Sequence, residues 1–147
     1  MTDSNADREF VHSRLIDAPP ERVFRAIAEP ERLARWWGPD GFSSTFETCE
    51  FRPGGDWRFV LQGPDGKNYP NQNVFRETTP GRVVVEHVDA SHHFLLTITL
   101  TPQDGKTLVG WRQRFDDAQH KRALEAFVPS ANEQNLDRLA AEVRTIP

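Results

Sequence analysis

Three histidines lie close together in the sequence and are the first candidates for chemistry. His87 falls in a strand-like segment, and His92 and His93 follow it across a short turn. A metal site would need at least a third convergent ligand, so turn-exposed imidazoles are the simpler interpretation and we predict no metal site. Alternation with Val83 and Val85 places His87 on their strand face, which makes it a candidate polar group inside a cavity.

Two carboxylates stand at positions that could support acid–base chemistry, Glu50 and Glu77. Arg52 lies two positions beyond Glu50, so an ion pair between them is the expected arrangement and a general base is the alternative. Glu77 is a further candidate for the cavity. Cys49 is interpreted as a small strand residue rather than a nucleophile, because no base accompanies it in sequence.

Sequence motifs of common enzyme classes are absent. The chain has no Gly-x-Ser-x-Gly elbow, no Gly-x-x-x-x-Gly-Lys-Ser/Thr phosphate-binding loop and no His-Glu-x-x-His zinc motif. We therefore predict no cofactor and assign no catalytic residue. Whether a reaction is catalysed stays open, because catalytic triads are defined by geometry rather than spacing.

Aromatic residues are concentrated on one face of the predicted strands. Counting with a period of two places five large side chains on this face: Trp57, Phe59, Phe75, Phe94 and Trp111. Gln113 falls on the same face, whereas Arg112 and Arg114 fall on the other. With Trp37 these side chains would line a cavity suited to a flat or apolar ligand; the alternative for each ring is simple core filling.

These candidate groups must be positioned by strands and helices, and the sequence predicts the order of these elements. A strand over residues 9–17 precedes a helix that starts at Pro19-Pro20-Glu21 and ends at Pro30. A second short helix ends at Trp36-Trp37-Gly38-Pro39. Six strands follow, at residues 42–52, 57–62, 68–77, 82–88, 94–101 and 107–115.

The last third of the chain is helical. Asp117 is expected to cap a helix over residues 118–128, which Pro129 interrupts. A capping box at Ser130-Ala131-Asn132-Glu133 then starts a helix with an apolar stripe. The predicted fold is α+β: a curved, seven-stranded antiparallel sheet wrapped on a long C-terminal helix, with two short helices between strands 1 and 2. One helix cannot fill such a sheet, and the remaining space is a cavity.

Length and composition are those of one globular domain. We predict a single domain over residues 1–147, with residues 1–8 as a flexible tail. The formal charge of −4 does not favour nucleic acid. No signal-peptide core or membrane-spanning stretch is present, and a single cysteine fits a reducing cytoplasm.

Several segments together resemble the START-like helix-grip superfamily, in the branch named for activators of the heat-shock-protein-90 ATPase. The similar segments run through the chain in order: Ala18–Phe24, Trp36–Pro39, Glu50–Trp57, Gly63–Gly66, Phe75–Pro80 and Asn132–Leu139. The branch includes calicheamicin self-resistance proteins and many small bacterial proteins. The resemblance implies the fold, and it implies ligand binding, cyclase, self-resistance or co-chaperone functions.

Two features depart from that family. Its strand after the Pro-Asp-Gly turn usually carries a glycine where this chain has Asn71-Gln72-Asn73, and its co-chaperone members have an additional domain. We therefore expect a protein, monomeric or homodimeric, that binds a small apolar or aromatic molecule. One alternative is a cyclase, dehydratase or hydrolase acting on an aromatic or polyketide-like compound, with Glu77, His87 and Glu50 as the first candidate catalytic groups. The other alternative is a co-chaperone-like interaction domain.

Overall fold

The computed structural model describes residues 6–88 and 93–147. Over these residues the strands are β1 (Glu9–Ile16), β2 (Ser43–Cys49), β3 (Asp56–Gln62), β4 (Asn68–Thr79), β5 (Arg82–His87), β6 (Phe94–Gln103) and β7 (Lys106–Phe115). The helices are α1 (Pro20–Ala28), α2 (Pro30–Trp36), α3 (Ala118–Ala123) and α4 (Val128–Arg144).

The strands form one antiparallel sheet in the order β1-β7-β6-β5-β4-β3-β2. Strands β2 through β7 pair in chain order as an antiparallel meander, and β1 pairs with β7. The connection from β1 to β2 must therefore reach from one edge of the sheet to the other, and α1 and α2 make that crossing. The predicted α+β fold is confirmed, with its seven-stranded sheet, long C-terminal helix and two helices between the first strands.

A bulge in β4 changes which side chains face the concave side. Phe75 pairs with Val85, and Glu77 pairs with the next residue of β5, Val84. One extra residue of β4, Arg76, therefore lies between two consecutive pairs. A bulge of this kind reverses the alternation beyond it. Phe75 therefore faces inward and Glu77 outward, although simple alternation puts them on the same face.

The concave face of the sheet packs against α4. Leu136, Leu139 and Val143 are almost completely buried and share one face of this helix. They fall at i, i+3 and i+7, the spacing of an apolar helical stripe. Trp36 at the end of α2 is buried beside them and donates from Nε1 to the Ala26 carbonyl oxygen at 2.8 Å.

Some element boundaries differ from the sequence prediction. β2 ends at Cys49, before the predicted end at residue 52, and α3 ends at Ala123 rather than at residue 128. Asp117 caps α3 as predicted, with Oδ1 accepting from the His120 N–H. The predicted interruption at Pro129 and the capping box at Ser130 are wrong: α4 starts at Val128, because proline is tolerated in a first helical turn.

The segment before β1 was predicted as a tail over residues 1–8. Ala6–Arg8 form a 3-10 turn, and the Arg8 guanidinium donates to the Asp116 carbonyl oxygen at 3.1 Å. Residues 1–5 lie outside the described residues. Flexibility of the whole segment stays a prediction.

The turn between β2 and β3 requires two glycines for different reasons. Gly54 has a φ of +80°, in the left-handed region, but a Cβ there would meet no atom within 4 Å. A Cβ on Gly55 would lie 1.8 Å from the Glu50 carbonyl oxygen. Gly55 is therefore required by close backbone packing, and Gly54 by backbone conformation alone.

This difference predicts unequal effects of alanine at the two positions. Gly55→Ala should lower the free energy of unfolding by more than about 3 kcal/mol or prevent folding, because backbone must move to relieve the clash. Gly54→Ala should cost about 1–2 kcal/mol, the penalty of a left-handed conformation for an L-residue. Urea denaturation of both variants measures this, and equal losses would contradict the packing explanation.

Candidate functional site

A cavity of about 530 Å³ lies between the concave face of the sheet and the first half of α4. Strands β3 to β7 supply one wall. The loop from α2 to β2 and the segment from α3 into α4 supply the other side. Protein interiors are normally packed to the density of organic crystals, so an open space of this size inside a small domain marks the candidate site.

The loop after α2 is held against α4 and positions Trp37. Arg138 of α4 donates to the carbonyl oxygens of Gly38 and Pro39 at 2.6 and 3.1 Å. Asn135 Oδ1 accepts from the Gly38 N–H at 2.9 Å. These bonds satisfy backbone groups just beyond the end of α2, and they fix the loop with the Trp37 indole lining the cavity.

Aromatic rings form one wall of the cavity. The Trp37 ring centroid lies 5.9 Å from that of Trp111 and 6.3 Å from that of Phe59. Trp57 and Phe75 stack on each other behind this wall, with centroids 5.2 Å apart and planes within 6°. Both are 1% exposed and fill the core rather than line the cavity.

A buried polar pair lies on β4 and β5. His87 Nδ1 is 2.9 Å from Asn73 Oδ1, and Asn73 Nδ2 donates to the Trp57 carbonyl oxygen at 3.3 Å. The Phe94 ring stacks on the His87 imidazole with centroids 4.6 Å apart. His87 thus faces inward with Val83 and Val85, as its position in the strand predicted.

A second polar group joins α4 to β7. Asn132 Nδ2 donates to Gln113 Oε1 at 3.0 Å, and both side chains are buried. Asn135 follows Asn132 by three residues and lies on the same face of the helix. All three line the cavity, so carboxamides supply much of its polar character.

Acidic residues considered for catalysis lie elsewhere. Glu77 faces outward and is 3.6 Å from Arg82 Nε. Glu50 lies in the turn after β2, where it accepts from the Asp56 N–H at 3.0 Å and forms the predicted ion pair with Arg52 at 3.5 Å. Cys49 is half-buried, and burial raises the pKa of its thiol to about 11, which suppresses the nucleophilic thiolate.

Six of the nine residues predicted for the cavity lie in its wall: Trp37, Phe59, His87, Phe94, Trp111 and Gln113. Trp57 and Phe75 are inward-facing but covered by other rings, and the bulge in β4 removes Glu77. Asn132 and Asn135 were missed. Each lies four residues before a leucine of the apolar stripe, and amides inside an apolar stripe are a signal that could have identified them.

The histidine cluster does not form a metal site within the described residues, where no group of three His, Cys, Asp or Glu could hold an ion. His92 lies outside those residues. His93 instead joins two carboxylates, with Nε2 2.8 Å from Glu86 and Nδ1 2.7 Å from Asp116. Hydrogen bonds to Glu86 and Asp116 raise the pKa of His93 above its ordinary value.

Comparison with known proteins extends over nearly the whole chain. The model of the family "Activator of Hsp90 ATPase homolog 1-like protein" matches residues 17–144. A comparison with curated protein sequences finds no significant match. Among the helices of the described segments, none is long and apolar enough to cross a membrane.

Solved bacterial structures share the fold at low sequence identity. A solution structure from Arthrobacter aurescens has a TM-score of 0.88 and 22% identity, covering 98% of this chain and 90% of that one. The AHSA1 protein of Silicibacter pomeroyi has a TM-score of 0.73 and 20% identity, covering 93% and 98%. CalU16 of Micromonospora echinospora has a TM-score of 0.66 and 22% identity, covering 92% and 75%.

The ion pairs of His93 predict a pH dependence of stability. Because the folded pKa of His93 is raised, its contribution is complete below the unfolded pKa and is lost as pH rises through the folded pKa. Glu86 has a lowered pKa, caused first by His93 and then by Arg76, so its contribution is lost as pH falls. His93→Gln should therefore destabilise most between about pH 5 and 6.5.

Chemical denaturation of wild type and His93→Gln from pH 5 to pH 9 measures this difference. We expect the two free energies of unfolding to converge toward the alkaline end. A difference that is constant across the range, or that grows with pH, would contradict a charged His93 bridge.

Proposed function

The chain belongs to the family of Activator of Hsp90 ATPase homolog 1-like proteins, and from this premise we propose that it binds a small apolar or aromatic molecule in the cavity. Ligand binding is one of the functions that the resemblance to this family implies. The observation that carries the proposal is the open space of about 530 Å³, which falls in the range of small-molecule sites.

The rim of the cavity supports entry of such a ligand. Phe127 and Tyr69 line the cavity and are 61% and 41% exposed, so apolar rings reach from the interior to the surface. Exposed large apolar side chains at the edge of a cavity are typical of binding sites. A ligand that covered these rings and filled the space would remove apolar surface from water.

Binding is favoured over catalysis by the ionisable groups available. Within the described part of the wall these are His87 and Tyr69. The Tyr69 hydroxyl donates to Asp65 Oδ2 at 2.8 Å, which commits it to the surface turn between β3 and β4. An acid and a base converging on one substrate atom, as general acid–base catalysis requires, are not found among these side chains.

We also propose that the protein is located in the cytoplasm. Its single cysteine, Cys49, forms no disulfide. Chains without a disulfide framework are typical of reducing compartments.

Neighbouring leucines on β6 provide a direct test. Leu96 faces the cavity, whereas Leu95 faces the outer side of the sheet. Leu96→Trp should place an indole in the open space and weaken binding of the neutral dye Nile red by at least about tenfold. Leu95→Trp adds the same side chain on the outer face and should leave binding unchanged.

Nile red fluorescence titrations of wild type and both variants measure the affinities, and far-ultraviolet circular dichroism confirms that each is folded. Absence of binding to wild type, or equal binding by Leu96→Trp and wild type, would overturn the proposed function. Loss of binding in Leu95→Trp but not in Leu96→Trp would place the dye on the outer face.

A further inference from the structure

We infer that the ligand is a neutral aromatic compound bearing a hydroxyl group, and that Gln113 and Asn132 hold this hydroxyl. The inference rests on the proposed function, because it assigns the chemistry of a ligand to the same cavity. It follows from three observations: the charge of the wall, the unpaired atoms of one amide pair, and the contrast with the other polar pair.

No carboxylate, ammonium or guanidinium side chain lines the described part of the cavity wall. None of its residues is Asp, Glu, Lys or Arg, whereas five carboxamides line it: Asn71, Asn73, Gln113, Asn132 and Asn135. A charged ligand would lose its hydration on entry and find no Asp, Glu, Lys or Arg there to compensate. Carboxamides offer donors and acceptors to neutral polar groups, so the wall selects for neutral ligands.

The Gln113–Asn132 pair leaves one donor and one acceptor unused. Their mutual hydrogen bond, at 3.0 Å, engages Asn132 Nδ2 and Gln113 Oε1. Gln113 Nε2 and Asn132 Oδ1 have no partner among the described residues, although the side chains are only 7% and 6% exposed. If both amides were rotated by 180°, one donor and one acceptor would still remain.

Asn135 adds a donor beside this pair. Its Oδ1 accepts from the Gly38 N–H, and its Nδ2 has no partner in the described parts of the chain. The helix therefore presents donor and acceptor groups within one turn. A hydroxyl both donates and accepts, so it can satisfy Asn132 Oδ1 and Gln113 Nε2 together, whereas a methyl group satisfies neither.

In the other polar pair of the wall, both side-chain polar atoms of Asn73 already have partners. Asn73 Oδ1 is bonded to His87 Nδ1, and Asn73 Nδ2 to the Trp57 carbonyl oxygen. These bonds join β4 to its neighbouring strands β5 and β3. The Asn73–His87 pair thus fixes the wall, whereas the Gln113–Asn132 pair keeps one donor group and one acceptor group for a ligand.

Four probes with the same ring system test the inference: methylnaphthalene, naphthylmethanol, naphthoate and naphthylmethylammonium. Calorimetric titration of wild type should give an affinity for naphthylmethanol at least about tenfold above that for methylnaphthalene, because the hydroxyl satisfies buried polar atoms. Both charged probes should bind more weakly than methylnaphthalene.

Two variants assign the effect to the amide pair. Gln113→Met with Asn132→Leu replaces both partners by apolar side chains of similar shape, a change that costs little stability. This double variant should bind methylnaphthalene at least as well as wild type and lose the preference for naphthylmethanol. Gln72→Met changes an exposed amide on the outer face of β4 and should retain the preference.

The outcomes separate the two proposals. Equal affinities of wild type for methylnaphthalene and naphthylmethanol, a preference that survives in the double variant, or tightest binding of a charged probe would each overturn this inference while the cavity remained a binding site. Failure of all four probes to bind wild type would overturn the proposed function and this inference with it.

Discussion

A single helix, α4, is too narrow to cover the sheet against which it packs, and the remaining architecture follows from this mismatch. Strands about 4.8 Å apart make a seven-stranded sheet about 29 Å wide, whereas a helix with its side chains is about 10–12 Å across. Helices α1 and α2 cover part of the remaining concave face. The space left between the sheet and the first half of α4 is the cavity.

The cavity stays open because α4 is anchored by polar contacts along its length. Arg138 and Asn135 bind the loop after α2, and Arg14 of β1 reaches Glu133 and Asp137. Near the C-terminal end, the buried Glu142 accepts from Arg32 and Arg35 at 3.3 and 3.1 Å. Contacts at several points along α4 oppose its sliding across the sheet, which favours walls that are preorganised for a ligand.

Features set by local pattern could be predicted from the sequence. The order of strands and helices follows from alternation, turns and prolines, and the inward orientation of His87, Trp111 and Gln113 follows from a period of two. Glu77 was misplaced because the bulge in β4 depends on pairing with β5. Neither strand has a residue whose type marks that irregularity.

The division between core and cavity could not be predicted, because it depends on distant contacts. Trp57 and Trp111 both face inward, but Trp57 is covered by Trp37, whose position is set by Arg138 of α4. Asn132 of α4 can be recognised as part of a polar pair only when the fold places Gln113 of β7 within hydrogen-bonding distance of it. The residues that distinguish this wall from an ordinary core thus come from segments far apart in sequence.

The central claim is that the space between sheet and α4 receives a ligand, and methyl-resolved NMR during titration with naphthylmethanol tests it most directly. Adjacent residues of β5 and β6 face opposite sides of the sheet, which gives each reporter an internal control. We predict shifts of the Val85 and Leu96 methyl signals, which line the cavity, with Val84 and Leu95 unaffected. Shifts confined to Val84 and Leu95, or no shifts at saturating probe, would contradict the account.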